Sequence, residues 1–170
     1  MEGSSLAKAT GNRIQFVETF DYPHSLGFVW EVVSSHLGFS QYDASKVMGL
    51  AAYGNPDVFR HVFKTIIRVG KEEYAVDPEV IGFQTAINKL ETLLGPPRFM
   101  GHEITQRHAD IAAALQAATN AAVKALVRRI RRKVPFHKLC LSGGVALNCV
   151  TNEQIRRSGD FSRVHTVRPA

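Results

Sequence analysis

The chain has 170 residues, 45% of them hydrophobic and 21% charged, values that suit one globular domain or one part of a larger protein. They exclude a disordered or low-complexity chain, and no run of about 18 apolar residues exists to cross a membrane. Lys+Arg number 21 against 15 Asp+Glu, a formal charge of +6, so an anionic partner is conceivable and the placement of the charge decides.

Residues 1–12 are small and polar, lack the apolar stretch of a secretory signal, and read as a flexible lead-in. Residues 13–170 read as a single unit. Arg13 to Phe20 alternates, with Ile14 and Phe16 on one face, and predicts a strand. Pro23 suits the first turn of a helix, and Leu26, Val29, Trp30, Val33 and Leu37 recur at helical spacing up to Gly38. Ala44 to Ala51 reads as a short helix ending at Tyr53-Gly54-Asn55-Pro56. Asp57 is placed to cap the next helix, which carries Val58, Phe59, Val62 and Phe63. Two short strands, Ile66 to Val69 and Tyr74 to Val76, flank a polar turn. Phe83 to Leu94 predicts a helix stopped by Gly95-Pro96-Pro97.

The most regular segment is a helix from about Thr105 to Lys133, with a buried stripe of Ile111, Leu115, Ala118, Ala122, Leu126 and Ile130. Pro135 stops it. Lys138 to Leu141 is an apolar run fit for a buried parallel strand. Ser142-Gly143-Gly144 makes the turn, Val145 to Arg157 continues as helix, and Val164 to Val167 predicts the next strand. A strand–turn–helix–strand unit places the chain in the α/β class.

Positive charge gathers at Lys124, Arg128, Arg129, Arg131, Arg132 and Lys133, followed by His137 and Lys138. Cations complement the C-terminal end of a helix, and no aromatic residues interleave as they would in a single-strand stacking platform. A solvated helix end accounts for them better than nucleic-acid binding. The histidines make no HxxxH or HExxH pair, so a metal held wholly by this chain is not expected. No GxSxG elbow occurs, and Cys140 is expected buried on its strand. The two cysteines, Cys140 and Cys149, lack CxxC spacing, which favours a reducing, cytoplasmic setting. Asp110, Glu91 and Glu103 have no evident partners.

Three segments could carry chemistry. In Leu139 to Asn148 a strand delivers the chain to two glycines and then to a helix. Glycines there permit a tight turn and close approach of a ligand, while free N–H groups and the helix end suit a phosphate or a ribose edge. Asn148, one turn into that helix, has an amide placed to face the same ligand. A ligand-free strand-to-helix turn fits the same residues. His24, in Tyr22-Pro23-His24-Ser25-Leu26-Gly27, fits an anion donor, a proton carrier or a structural cap. Lys46, in Lys46-Val47-Met48-Gly49-Leu50-Ala51, fits a ligand contact or an exposed lysine beside packed neighbours.

Together these segments resemble the O-carbamoyltransferases of nodulation-factor and antibiotic biosynthesis. The likeness rests on Pro23-His24-Ser25-Leu26-Gly27, Lys46-Val47-Met48-Gly49-Leu50-Ala51 with Tyr53-Gly54, Gly95-Pro96-Pro97-Arg98, Arg107 to Ala113, and Leu139 to Cys149. They stand in family order across roughly residues 13–170. The resemblance implies a partial actin-like lobe, of the sugar kinase and Hsp70 type, with a mixed sheet flanked by helices. It implies ATP as the nucleotide, or carbamoyl adenylate formed from carbamoyl phosphate and ATP by a separate activating domain. A hydroxyl on a sugar or antibiotic precursor accepts the carbamoyl group.

Ser142, Gly143, Gly144, Val145 and Asn148 match the element that contacts the adenosine side. His24 and Lys46 match family motifs, with roles at the carbamoyl-phosphate end or in acceptor orientation. The family's metal-binding His-rich motif lies upstream of these residues, and its acidic Gly/Asp-rich segment follows them. The activating domain and the first actin-like lobe are absent as well. An interior piece of this kind is expected not to catalyse transfer alone. The alternative is a non-enzymatic assembly module that meets a second copy or another partner through the surface left by the missing lobe.

Overall fold

The computed structural model describes residues 2–40 and 42–167, without the side chains of residues 2 and 83–85. Strands β1 (Glu2–Thr10) and β2 (Arg13–Asp21) pair antiparallel, with Ala7 opposite Phe16 and Ala9 opposite Ile14. This corrects the flexible lead-in. β2 pairs with the main-chain groups of residues 2–10 that face it, and Leu6 and Val17 pack on a small apolar cluster. The signal was the Gly11-Asn12 pair between the strands, a two-residue hairpin loop in which Gly11 takes φ +61°. The alternation in β2 forms a strand without burying it: Ile14 and Phe16 are 73% and 65% exposed.

Pro23 lies outside the next helix, in a turn where the His24 N–H donates to Asp21 O at 3.0 Å. Helix α1 (Leu26–His36) starts at Ser25, whose hydroxyl accepts from Phe28 N, and buries Leu26, Val29, Trp30 and Val33. Helix α2 (Ala44–Leu50) runs into a 3-10 turn, Ala51–Tyr53. Helix α3 (Pro56–Ile66) is capped by Asn55 rather than Asp57. Pro56, with no N–H to satisfy, takes the first helical position and leaves Asp57 inside the first turn. Strands β3 (Ile67–Val69) and β4 (Tyr74–Val76) form a second antiparallel pair, and α4 (Phe83–Leu94) ends at Gly95.

Helix α5 (Gln106–Lys133), about 42 Å long at 1.5 Å per residue, is the centre of the molecule. Helices α1 and α2 and the 51–53 turn gather on its first half with α3, β3 and β4. Ile111, Leu115, Ala122 and Ile130 are buried as expected, whereas Ala118 and Leu126 are half-buried. From His108 to Gln116 every residue is buried, wider than one stripe, because neighbours cover all sides. The indole N–H of Trp30 donates to Thr119 Oγ1 at 2.9 Å inside this core.

Strand β5 (Lys138–Ser142), helix α6 (Cys149–Ser158) and strand β6 (Arg163–Val167) close the chain as a parallel unit, with Leu139 beside Val164. Only one face of this pair is covered, by Val127, Ile130, Ile155 and Phe161, so Leu139 and Leu141 are half-buried. Cys140 is exposed, correcting the expectation of a buried strand and a buried thiol. The architecture is mixed α/β, but the described strands form three two-stranded sheets rather than one mixed sheet. No described helix is long and apolar enough to cross a membrane.

The basic end of α5 is braced, not simply solvated. Glu18 of β2 accepts from Arg129 Nε at 2.7 Å and from Lys133 Nζ at 2.9 Å, and Arg129 lies 5.6 Å from the Phe20 ring centroid. Arg132 pairs with Glu72 at 2.5 Å. Hydrogen bonds from Arg129 and Lys133 hold the Glu18 carboxyl well below its ordinary range, at about 2. A depressed carboxylate stabilises the fold above its unfolded value near 4.5 and loses that contribution as pH falls toward 2. Glu18→Gln is expected to cost about 1–2 kcal/mol at pH 7. Urea denaturation should show the difference from wild type shrinking between pH 4.5 and 2.

Candidate functional site

The turn after β5 is open to solvent at Ser142 and Gly144. Gly143 has φ +101°, a region that disfavours side chains. Gly144 has ordinary helical angles (φ −59°, ψ −44°), and a Cβ on either glycine would meet nothing within 4 Å. Ser142 and Gly144 are exposed, while Val145 is half-buried against the main core. The turn is held from beneath: Asn152 Nδ2 donates to Ala146 O at 2.7 Å and to Thr166 Oγ1 at 3.3 Å.

Asn148 is placed otherwise than expected. Residues 145–147 form a separate 3-10 turn, and Asn148 is extended at the start of α6 rather than one turn inside it. Its Oδ1 accepts from Thr151 N at 3.0 Å, and its Nδ2 donates to Gln116 Oε1 at 2.9 Å. Gln116 Nε2 donates in turn to Asn120 Oδ1 at 2.8 Å, and Thr151 Oγ1 donates to the same oxygen at 2.7 Å. The side chain is buried and committed inward, so it shapes the turn from behind. The start of α6 is likewise satisfied by its own cap. A ligand would therefore meet the main chain of residues 142–145. Sequence reasoning missed Gln116, Asn120, Thr151 and Asn152; a glutamine on an alanine-rich helix was the available signal.

Lys46 and His24 are not joined to the turn by any hydrogen bond or ion pair among the described residues. Lys46 is exposed and pairs with Asp43 at 2.9 Å. Its helix does flank the turn: Met48 Sδ lies 3.9 Å from Cys149 Sγ. His24 ties α1 to β4, its Nδ1 accepting from Val76 N at 3.1 Å and its carbonyl from the Tyr74 hydroxyl at 2.8 Å. Of its open alternatives, the structural one describes this geometry. No group of three or more His, Cys, Asp or Glu side chains assembles among the described residues, so they do not fit a metal ion.

The remaining motif residues meet around the start of α5. A Cβ on Gly54 would stand 2.0 Å from Ala109 O. Asp110, expected to lack a partner, accepts from Asn55 N at 2.7 Å and Gln106 Nε2 at 2.9 Å. Arg107 donates to Leu94 O and Pro96 O, and Arg98 donates to Leu37 O, Gly38 O and His102 O, so the two guanidiniums stitch the 95–102 loop to α1 and α5. His36, buried beside them, is held to about pKa 4 by desolvation, with Arg107 and His108 adding repulsion. Segments far apart in sequence are thus one packing unit, which is a physical reason for them to occur together.

A family model for the N-terminus of carbamoyltransferases matches residues 3–170. The chain belongs to the carbamoyltransferase N-terminal family. The match begins at the hairpin, ten residues before the likeness read from the motifs. Nodulation protein NolNO of Sinorhizobium fredii is 33% identical over 97% of this chain and 23% of its own length. Nodulation protein NolO of Bradyrhizobium diazoefficiens is also 33% identical, over 97% of this chain and 29% of its own length. An uncharacterized protein of Synechocystis sp. is 30% identical over 98% of this chain and 28% of its own. The chain therefore spans about a quarter of the length of these relatives.

Proposed function

We propose that this carbamoyltransferase chain forms part of an actin-like catalytic lobe and supplies one wall of a nucleotide site. The residues of that wall are Ser142, Gly143, Gly144 and Val145, with Asn148 and Gln116 fixing the turn from beneath. The nucleotide is ATP, or carbamoyl adenylate made from carbamoyl phosphate and ATP, and the complete protein passes the carbamoyl group to a hydroxyl of a sugar or antibiotic precursor. The observation that carries the reading is the open main-chain turn at Gly143-Gly144, where a planar or phosphate group can approach without meeting a side chain. Lys46, on the helix beside the turn, is the candidate contact for the carbamoyl-phosphate end, and His24 is a positioning residue. A wall of this kind binds weakly alone, since a ligand site encloses most of its ligand. The two exposed thiols suit a reducing, cytoplasmic compartment.

Calorimetric titration with ATP and a non-hydrolysable carbamoyl-adenylate analogue tests this. Gly144→Leu is the informative variant, because the residue's helical angles accept any side chain and the space beside it is open. It is expected to alter stability by no more than about 0.5 kcal/mol and to weaken nucleotide binding by about tenfold, roughly 1.4 kcal/mol. Equal binding by both proteins removes the turn as the contact.

A second reading, an assembly module acting through self-association or a partner, draws on the apolar hairpin face with Ile14 and Phe16 exposed. Sedimentation separates the two: a stable dimer lost in Phe16→Ser supports assembly, and a monomer at all concentrations rejects self-association.

A further inference from the structure

A groove of about 390 Å³ runs between α3 and α5, on residues that the nucleotide proposal does not use. Its open floor is Ala117, Ala118 and Ala121 on one face of α5, with the buried Ala114, Phe63 and Ile67 as the inner wall. Alanine at these three positions leaves the backbone of α5 near the surface, so another helix can approach closely. Small residues alone say nothing about an occupant; the rim does. Arg60, Lys64 and Arg68 line it and no carboxylate does. Arg60 is engaged by Asp57, but Lys64 and Arg68 make no ion pair among the described residues. Lys124, one turn beyond Ala121 along α5, extends the same sign of charge.

The groove thus combines an apolar floor with an unbalanced cationic rim. Its open form, with Ala121 and Val69 exposed, fails to enclose a small amphiphile, which needs most of its surface covered. A second copy of this chain, at net charge +6, approaches against long-range repulsion, whereas an acidic segment is drawn to the rim. Along α5 the open floor extends about 6 Å from Ala117 to Ala121, room for one turn of a helix.

We propose that the α3–α5 groove is a docking site for an amphipathic helix whose apolar stripe is flanked by Asp and Glu. The apolar stripe covers the alanine floor, and a carboxylate on its flank meets Lys64 and Arg68. Recognition of this kind anchors through i, i+3, i+4 contacts.

The test is fluorescence anisotropy with a labelled synthetic helical peptide carrying a Leu/Ala stripe flanked by Glu, and a second peptide with Lys in place of each Glu. The probes are added to the intact chain, to the Lys64→Glu/Arg68→Glu double variant, and to Ala118→Trp, which fills the floor. The double variant changes only exposed side chains, so circular dichroism should show it folded. The expected result is binding of the Glu peptide that falls at least tenfold in the double variant and in Ala118→Trp, with the Lys peptide binding at least tenfold more weakly. The proposal is overturned if the Glu peptide does not bind, if both peptides bind alike, or if the double variant binds the Glu peptide as well as wild type does. Displacement of the bound peptide by laurate at micromolar concentration, with laurate itself retained by the double variant, would also overturn it and assign the groove to a lipid-like ligand.

Discussion

Replacing Gly54 with alanine is expected to destabilise the chain by about 3 kcal/mol or more, the upper end of what overpacking costs. The added Cβ would stand 2.0 Å from Ala109 O, 2.3 Å from Ala109 C and 2.7 Å from Asp110 N. All three are main-chain atoms of a buried helix, so no side chain can swing away to relieve the clash. Relief requires moving the 51–55 segment off α5, and that movement breaks the 2.7 Å hydrogen bond from Asn55 N to Asp110. A buried carboxylate left short of a donor adds to the loss. Guanidinium denaturation should show the midpoint falling steeply. A midpoint within experimental error of wild type would mean that the close approach of Gly54 to α5 is wrong. Gly144→Ala is the internal control: its Cβ meets nothing, and its stability should stay near wild type.

Asn148→Ala is expected to cost about 2–4 kcal/mol, through two losses at one side chain. Loss of the cap at the start of α6 accounts for about 1 kcal/mol, and stranding the buried Gln116 carbonyl oxygen accounts for a further 1–3 kcal/mol. The two are coupled through Thr151, whose N–H is bonded to Asn148 Oδ1 and whose hydroxyl reaches Asn120. A double-mutant cycle with Gln116→Leu should therefore show clear non-additivity, because the second change removes the stranded group. Additive losses would show that the two side chains do not interact. The same argument makes Asn148→Ala a poor probe of ligand binding, since it disturbs the turn whether or not a ligand touches it.

The balance between sequence and structure follows from which interactions are local. Helices α1, α3 and α5 were legible because their periodic apolar residues, caps and stop residues lie within a few positions of one another. Lys133 ends α5 just before Val134-Pro135, and Gly38 ends the segment after α1, as expected. The β5–turn–α6–β6 order was legible for the same reason, and the chain of motifs identified the family. The β1 strand was not legible: Ser4, Ser5, Lys8 and Thr10 carry no apolar pattern, and only pairing with β2 makes it a strand.

The site divides along the same line. The Gly143-Gly144 turn depends on backbone freedom, a property of the residues themselves, and could be placed from the sequence. The inward direction of Asn148, the structural use of His24, and the partners of Asp110 and Glu18 depend on residues 32, 52, 55 and 111 positions away, respectively. Sequence alone determined the order of the elements after the hairpin, the open turn and the family. Only the tertiary structure decided which polar side chains hold the fold and which remain free for a ligand, because a hydrogen-bonding group is committed by whatever it meets across the core.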